Sequence, residues 1–122
     1  MTKERLDLGK KGEDIALEIV KRLGYKCLAR NYRCTLGEID LIAREGECLV
    51  FIEIKTRKDK STGFAKEAVD SRKRRQISRV ALSYMKENDC SEMSARFDVI
   101  AINLSQGDMD VEIINNAFEL EY

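Results

Sequence analysis

Two apolar segments, 38–44 and 48–56, flank Glu45-Gly46-Glu47, and each carries charge inside a run that would otherwise be wholly buried. They contain Glu38-Ile39-Asp40-Leu41-Ile42 and Phe51-Ile52-Glu53-Ile54-Lys55. Short runs of Ile, Leu, Val and Phe form strands, and a carboxylate within one is rarely left without a partner. With Gly46-Glu47 as the two turn residues, glycine first as a type II′ turn prefers, the pairing register follows. Opposed residue numbers then sum to 93, the sum of 46 and 47, so Asp40 faces Glu53 and Glu38 faces Lys55. A slip of one residue would undo this arrangement.

Two carboxylates opposed on adjacent strands have Cβ atoms about 5 Å apart and repel one another without a counter-charge. A divalent cation supplies that charge, and the carbonyl of Ile54 is placed to complete the protein's share of ligands. The chain has no histidine, and Cys27, Cys34, Cys48 and Cys90 form no Cys-x-x-Cys pair. A histidine-based triad and a thiolate zinc site are thereby excluded. The thiols read as reduced and mostly buried. Any metal site is built from oxygen ligands, which selects Mg²⁺ or Mn²⁺. Lys55 shares a face with Glu53 because strand side chains alternate. There it can orient or help deprotonate an attacking water and balance charge on a pentacovalent phosphoryl transition state. The same residues also allow a plainer arrangement: a surface hairpin in which Glu38 pairs with Lys55 while Asp40 and Glu53 are solvated.

The spacing predicts a helix over Leu8–Leu23, with Ile15, Ile19 and Leu23 beside Ala16 and Val20 on one stripe and Gly24 as its C-cap. Strands are expected near Lys26–Tyr32, Glu38–Arg44, Cys48–Thr56, Ala95–Leu104 and Met109–Ile114, with a polar loop from Arg57 to Phe64 and a turn at Ser105-Gln106-Gly107-Asp108. Asp70 or Ser71 caps a second helix whose Ile77, Val80, Ala81, Tyr84 and Met85 recur at helical spacing. The order α-β-β-β-α-β-β describes an α/β chain with a mixed sheet flanked by helices and a crossover from the third strand to the fourth. Glu13 borders the stripe of the first helix; it is either a site acid or an acid favoured by the helix dipole. Lys73, four residues before Ile77, lies at the rim of the second helix's buried face or belongs to a solvated basic run.

At 122 residues, 43% of them hydrophobic, the chain suits one domain with a real core. No apolar run approaches the roughly 20 residues of a membrane span, and the mixed charges of Met1–Arg5 are unlike a secretory signal, so a cytoplasmic protein is expected. Net charge is zero, yet residues 55–79 hold 10 basic and 3 acidic side chains, a net of +7. Residues 80–122 hold 2 basic and 9 acidic, a net of −7. A basic middle of this kind binds a polyanion locally. Arg57, Lys58 and Lys60, just after the third strand, and Arg72, Arg74 and Arg75, at the start of the second helix, are the candidate nucleic-acid contacts.

Asp40 and Glu53-x-Lys55 together resemble the PD-(D/E)xK nucleases of the restriction-endonuclease-like fold. More closely, the chain is similar to the YraN-like family of predicted endonucleases, themselves similar to archaeal Holliday-junction resolvases. The match runs from about Gly9 to Ile102 and includes Gly12-Glu13, Gly24-Tyr25, Arg30-Asn31-Tyr32-Arg33, Gly37–Ile42, Phe51–Arg57, Glu67-Ala68-Val69, Lys73 and Arg96–Ile100. The resemblance implies a Mg²⁺- or Mn²⁺-dependent DNA endonuclease, and a resolvase-like member would be structure-selective for branched DNA. Asp40, Glu53 and Lys55 would form its core, Glu13 would be an accessory acid, and Lys73 would support from the helix. A resolvase-like task needs two active sites and hence a homodimer. The competing reading is a non-catalytic nucleic-acid-binding or recombination accessory module with the same fold.

Overall fold

In a computed structural model, residues 3–58, 69–105 and 107–119 are described. Helix α1 spans Lys3–Arg22 and is followed by strands β1 (Lys26–Cys34), β2 (Gly37–Glu45) and β3 (Cys48–Arg57). Helix α2 (Ser71–Glu87) leads to β4 (Ser94–Ser105) and β5 (Asp108–Phe118). One five-stranded sheet has the order β1-β2-β3-β4-β5. Only β3 and β4 run parallel, as the crossover through α2 requires; the other neighbours are antiparallel. This is the mixed α/β arrangement and element order expected from the sequence.

Several elements run past one of their expected ends. Helix α1 begins at Lys3 instead of Leu8, and β5 continues to Phe118 instead of Ile114. Apolar periodicity marks only the buried part of an element, whereas its backbone hydrogen bonds continue into polar residues. In α1, Gly12, Ala16 and Val20 form the buried line, with Ile15 and Ile19 half-buried. Leu23, expected to end that line, is instead 50% exposed. The helix has already closed there: the amides of Gly24 and Tyr25 donate to the carbonyls of Lys21 and Val20, and Gly24 takes φ +85°. That pair of bonds turns the chain away from the sheet before Leu23 can pack.

The two helices cover opposite faces of the sheet. Ala16 and Val20 of α1 pack on Leu41, Ala43, Val50, Ile52, Ile100 and Ile102. On the other face, Ile77, Val80, Ala81, Tyr84 and Met85 of α2 are buried as their spacing predicts. They meet Phe51, Phe97 and Phe118, whose rings stack at 5.6 and 4.8 Å. The N-cap of α2 is Asp70, whose Oδ1 accepts the Lys73 amide at 2.9 Å. The four cysteines are free, but half-buried instead of buried. No helix among the described residues is long and apolar enough to cross a membrane.

A polar cluster ties β2, β4 and β5 to the connection after α1. Arg96 of β4 donates through Nε to both oxygens of Asp98, which is 2% exposed, and through Nη1 to Glu45 at 2.9 Å. Its Nη2 donates to the Tyr25 hydroxyl at 2.8 Å, and Asp98 also accepts the amide of Asn116 in β5. Every charge in this cluster has a partner, which is the condition for burying it at tolerable cost.

Gly12 sets how closely α1 approaches the sheet. A Cβ there would collide with the hydroxyl oxygen of Thr56 and lie 2.9 Å from its Cβ. Gly12→Ala should therefore force helix and strand apart and cost about 1–3 kcal/mol in urea unfolding. Gly9→Ala is the control, because nothing lies within 4 Å of that position. It should be neutral or gain up to about 1 kcal/mol from helix propensity. Equal stability of the two variants would refute the close-contact account.

Candidate metal centre

The β2–β3 hairpin has the register read from Gly46. Leu41↔Ile52 through Glu45↔Cys48 all sum to 93, and Gly46 takes φ +57° as the first turn residue. The ladder ends at Leu41↔Ile52, one pair short of the site. Asp40 and Glu53 are consequently not Cα partners. The expected pairing of Glu38 with Lys55 is also not formed. Glu38 instead pairs across the other hairpin with Arg33, Nε to Oε2 at 2.9 Å.

The ladder stops because β2 changes phase at Asp40. Ile39 packs in the core under α2 and Leu41 in the core under α1, although residues two apart on a regular strand share a face. Across from this point, between the pairs Arg30↔Leu41 and Tyr32↔Ile39, Asn31 adopts φ 50°. Asparagine tolerates that left-handed backbone better than most residues. The irregularity aims the Asp40 side chain at β3, where Oδ2 accepts the Ile54 amide at 2.8 Å. The carboxylate thus replaces the carbonyl that a continued ladder would have supplied. A residue's N–H and C=O point to the same side of a strand, so the Ile54 carbonyl also faces the opened end of the ladder.

Glu53 lies on the α2 side of β3 and is only 8% exposed. Its Oε1 is 3.6 Å from the Lys55 ammonium and 3.9 Å from that of Lys73. The two lysines come from different elements and converge on one oxygen. Burial, then repulsion from Asp40, push the Glu53 carboxyl up to about 7, while Lys73 and Lys55 pull it down. A hydrogen bond with Asp40 adds to the rise. Burial outweighs the two ammonium groups, which are each about one-third exposed and screened by water.

Glu13 borders the same place from α1. It lines a cleft of about 370 Å³ with Leu8, Gly9, Asp40, Ile54, Lys55 and Thr56. Its Oε2 accepts from the Asn31 side chain at 3.4 Å. The tight Gly12–Thr56 contact one residue away fixes the height of Glu13 over the strand. Among the described residues no three His, Cys, Asp or Glu side chains draw together closely enough to hold a metal ion. The convergent set is Asp40 and Glu53, with Glu13 across the cleft.

A family model described as the uncharacterised protein family UPF0102 matches residues 12–102. The chain belongs to UPF0102. It is 45% identical over 122 residues to a UPF0102 protein of Geobacter metallireducens, covering 100% of both chains. It is 46% identical to one from Geobacter sulfurreducens over 94% of this chain and 91% of that one. A third, from Pelobacter propionicus, is 49% identical over 93% of this chain and 84% of its own.

The basic candidates of this UPF0102 chain divide between faces. Arg72 and Arg75 are exposed on α2 and line a groove of about 490 Å³ with Leu36, Lys73, Gln76 and Arg79. Arg74 faces the other way: Nε donates to the Val69 carbonyl at 2.9 Å and the guanidinium lies 5.9 Å from the Phe118 ring centre. It buttresses the fold, because it falls three and four residues before the buried Ile77 and Ser78. Arg57 ends β3 and Lys58 follows it, while Lys60 lies outside the described residues. The helix N-terminal amide of Lys73 is already taken by Asp70. Sequence reasoning missed Asn31, Gln76 and Arg79. The positive φ of Asn31 has no local signal, whereas Arg72, Arg75 and Arg79 at i, i+3 and i+7 could have been found by spacing.

The raised carboxyl of Glu53 gives stability an unusual pH dependence. In the unfolded chain it titrates near the ordinary carboxylate value, while the folded value is about 7. Between the two the folded state binds more protons, so this group's contribution falls as pH rises. In chelator, the unfolding free energy of Glu53→Gln relative to wild type should increase between about pH 5 and about pH 8. A difference independent of pH would show that the buried carboxyl is ionised throughout.

Proposed function

We propose that this protein is a Mg²⁺- or Mn²⁺-dependent DNA endonuclease, with Asp40, Glu53 and Lys55 as its core. The observation that carries the reading is the juxtaposition of Glu53 and Asp40 with two lysines on one carboxylate oxygen. A half-compensated pair of hard oxygen donors beside an open cleft suits a divalent cation, and Asp40, Glu53 and the Ile54 carbonyl would hold it. When bound, the cation polarises a phosphoryl oxygen and lowers the pKa of a water.

The remaining roles fall to the chain itself. The Ile54 amide fixes one oxygen of Asp40, and Asp40 also lines the cleft. Lys55 also lines that cleft, within reach of an attacking water and of the charge that develops at phosphorus. Lys73 holds Glu53 from α2 and so positions it without entering the same cleft. Glu13, steadied by Asn31, is the accessory acid on the opposite wall. The exposed arginines of α2 supply backbone contacts that carry no sequence information.

Two measurements test this. Calorimetric titration with Mn²⁺ should find a site that is lost in Asp40→Ala and Glu53→Ala and kept in Lys55→Ala. Equal binding by wild type and Asp40→Ala would remove the metal assignment.

Cleavage is the second measurement. Lys55→Ala should bind duplex DNA as wild type does, yet lose about 10²-fold or more in cleavage, since its contribution lies in the transition state. If wild type cuts no duplex, forked or single-stranded DNA with either metal, the reading gives way to a non-catalytic DNA-binding module.

A further inference from the structure

The tip of the β1–β2 hairpin carries a side chain that its turn does not explain. Thr35 and Leu36 join Cys34 to Gly37, and the positive φ of that connection, +144°, belongs to Gly37. Nothing in the backbone demands leucine, and polar residues or glycine are the usual occupants of such turns. Leu36 is nevertheless 48% exposed. An isolated exposed leucine is ordinary; this one projects into the groove along α2. The groove's other walls are Arg72, Lys73, Arg75, Gln76 and Arg79, with only Asp70 acidic.

The hairpin tip is held in place. Gln76 donates to the Leu36 carbonyl at 3.5 Å, and Gly37 leaves room for the Gln76 side chain, which a Cβ would meet at 2.8 Å. Lower on the hairpin, Tyr32 packs edge-on against Tyr84 at 5.2 Å and donates to Glu87 at 3.0 Å. Arg72, Arg75 and Arg79 share one exposed helix face. None of the three has an ion-pair partner among the described residues. Lys73 links the groove to the candidate centre, lining the one and reaching Glu53 of the other at 3.9 Å.

We propose that Leu36 is a wedge that enters a weakened base step, while Arg72, Arg75 and Arg79 hold the phosphates of the strand led away along α2. The ligand is DNA in which a duplex meets an unpaired arm. A continuous duplex needs only the cations, because its phosphates are on the outside and its bases are stacked. An apolar wedge gains contact only where a step opens, at an unstacking cost that an already open step avoids. Gln76, beside Leu36 in the groove, then meets the unstacked bases. This rests on the nucleic-acid reading above, but not on catalysis.

The test is binding without turnover. Wild type and Leu36→Ala are titrated, in chelator, against a continuous duplex and a forked duplex carrying 2-aminopurine at the branch. Wild type should bind the fork about tenfold more tightly than the duplex, ~1.4 kcal/mol, and brighten the 2-aminopurine. Leu36→Ala should keep its duplex affinity and lose both the preference and the brightening, and Leu36→Met should restore them. Joint replacement of Arg72, Arg75 and Arg79 by Ala should weaken fork and duplex alike and flatten the salt dependence, at about 0.9 per phosphate contact on duplex. The proposal is overturned if wild type shows no fork preference, or if Leu36→Ala retains it. Cleavage of the same DNAs with Mn²⁺ is scored separately. A wild type that prefers forks without cutting them supports the wedge and removes the nuclease.

Discussion

A backbone amide inside a protein must have an acceptor, and at Ile54 that acceptor is a side chain. The β2–β3 ladder could have continued to Asp40 and Glu53, in which case both carboxylates would project from paired strands. The phase change at Asp40 instead gives the Ile54 amide a carboxylate oxygen. One charge-assisted hydrogen bond then performs two tasks: it satisfies a donor that the ending ladder leaves over, and it fixes an acid beside Glu53. The neighbouring features follow. Asn31 accepts a left-handed backbone where β1 faces the distortion, and its side chain reaches Glu13 on α1.

The site draws its residues from three layers. Glu53 comes from the sheet, Lys73 from the helix above it, and Glu13 from the helix on the opposite face. Neither lysine alone offsets the burial of Glu53, and the two together still leave its carboxyl raised. The site is thus held in a half-compensated state by the fold, an arrangement with no evident value to stability. A carboxyl raised by burial and by a charged neighbour, beside a cleft, marks a candidate functional site. Membership of UPF0102 names no chemistry for the site.

Local rules carried much of this into the sequence. A glycine at a two-residue turn fixed the register of β2 on β3, and apolar spacing fixed the buried face of α2, because both are properties of a few consecutive residues. The end of the ladder was not legible: it depends on a backbone irregularity shared between β1 and β2, which leaves no mark in hydropathy. The Glu38–Lys55 pair failed for that reason. Arg74 shows a different lapse. In the run Arg72-Lys73-Arg74-Arg75 all four residues look alike as charge, yet a helix rotates them onto different faces, and only Arg74 turns under Phe118. The Glu13–Asn31 contact joins elements distant in the chain and was beyond any local rule.

The Arg96 cluster bears on the order in which the chain assembles. The β2–β3 hairpin is local and can close within microseconds, whereas β4 must wait for a long crossover before it pairs with β3. Arg96 finds Glu45 only when the hairpin is already in place, Tyr25 only when α1 has docked, and the full shell of Asp98 only when β5 has arrived. Its charge has no low-energy burial in any partly built sheet. The cluster therefore closes only in the finished sheet, and a β5 out of register would leave the buried Asp98 carboxylate without its Asn116 donor.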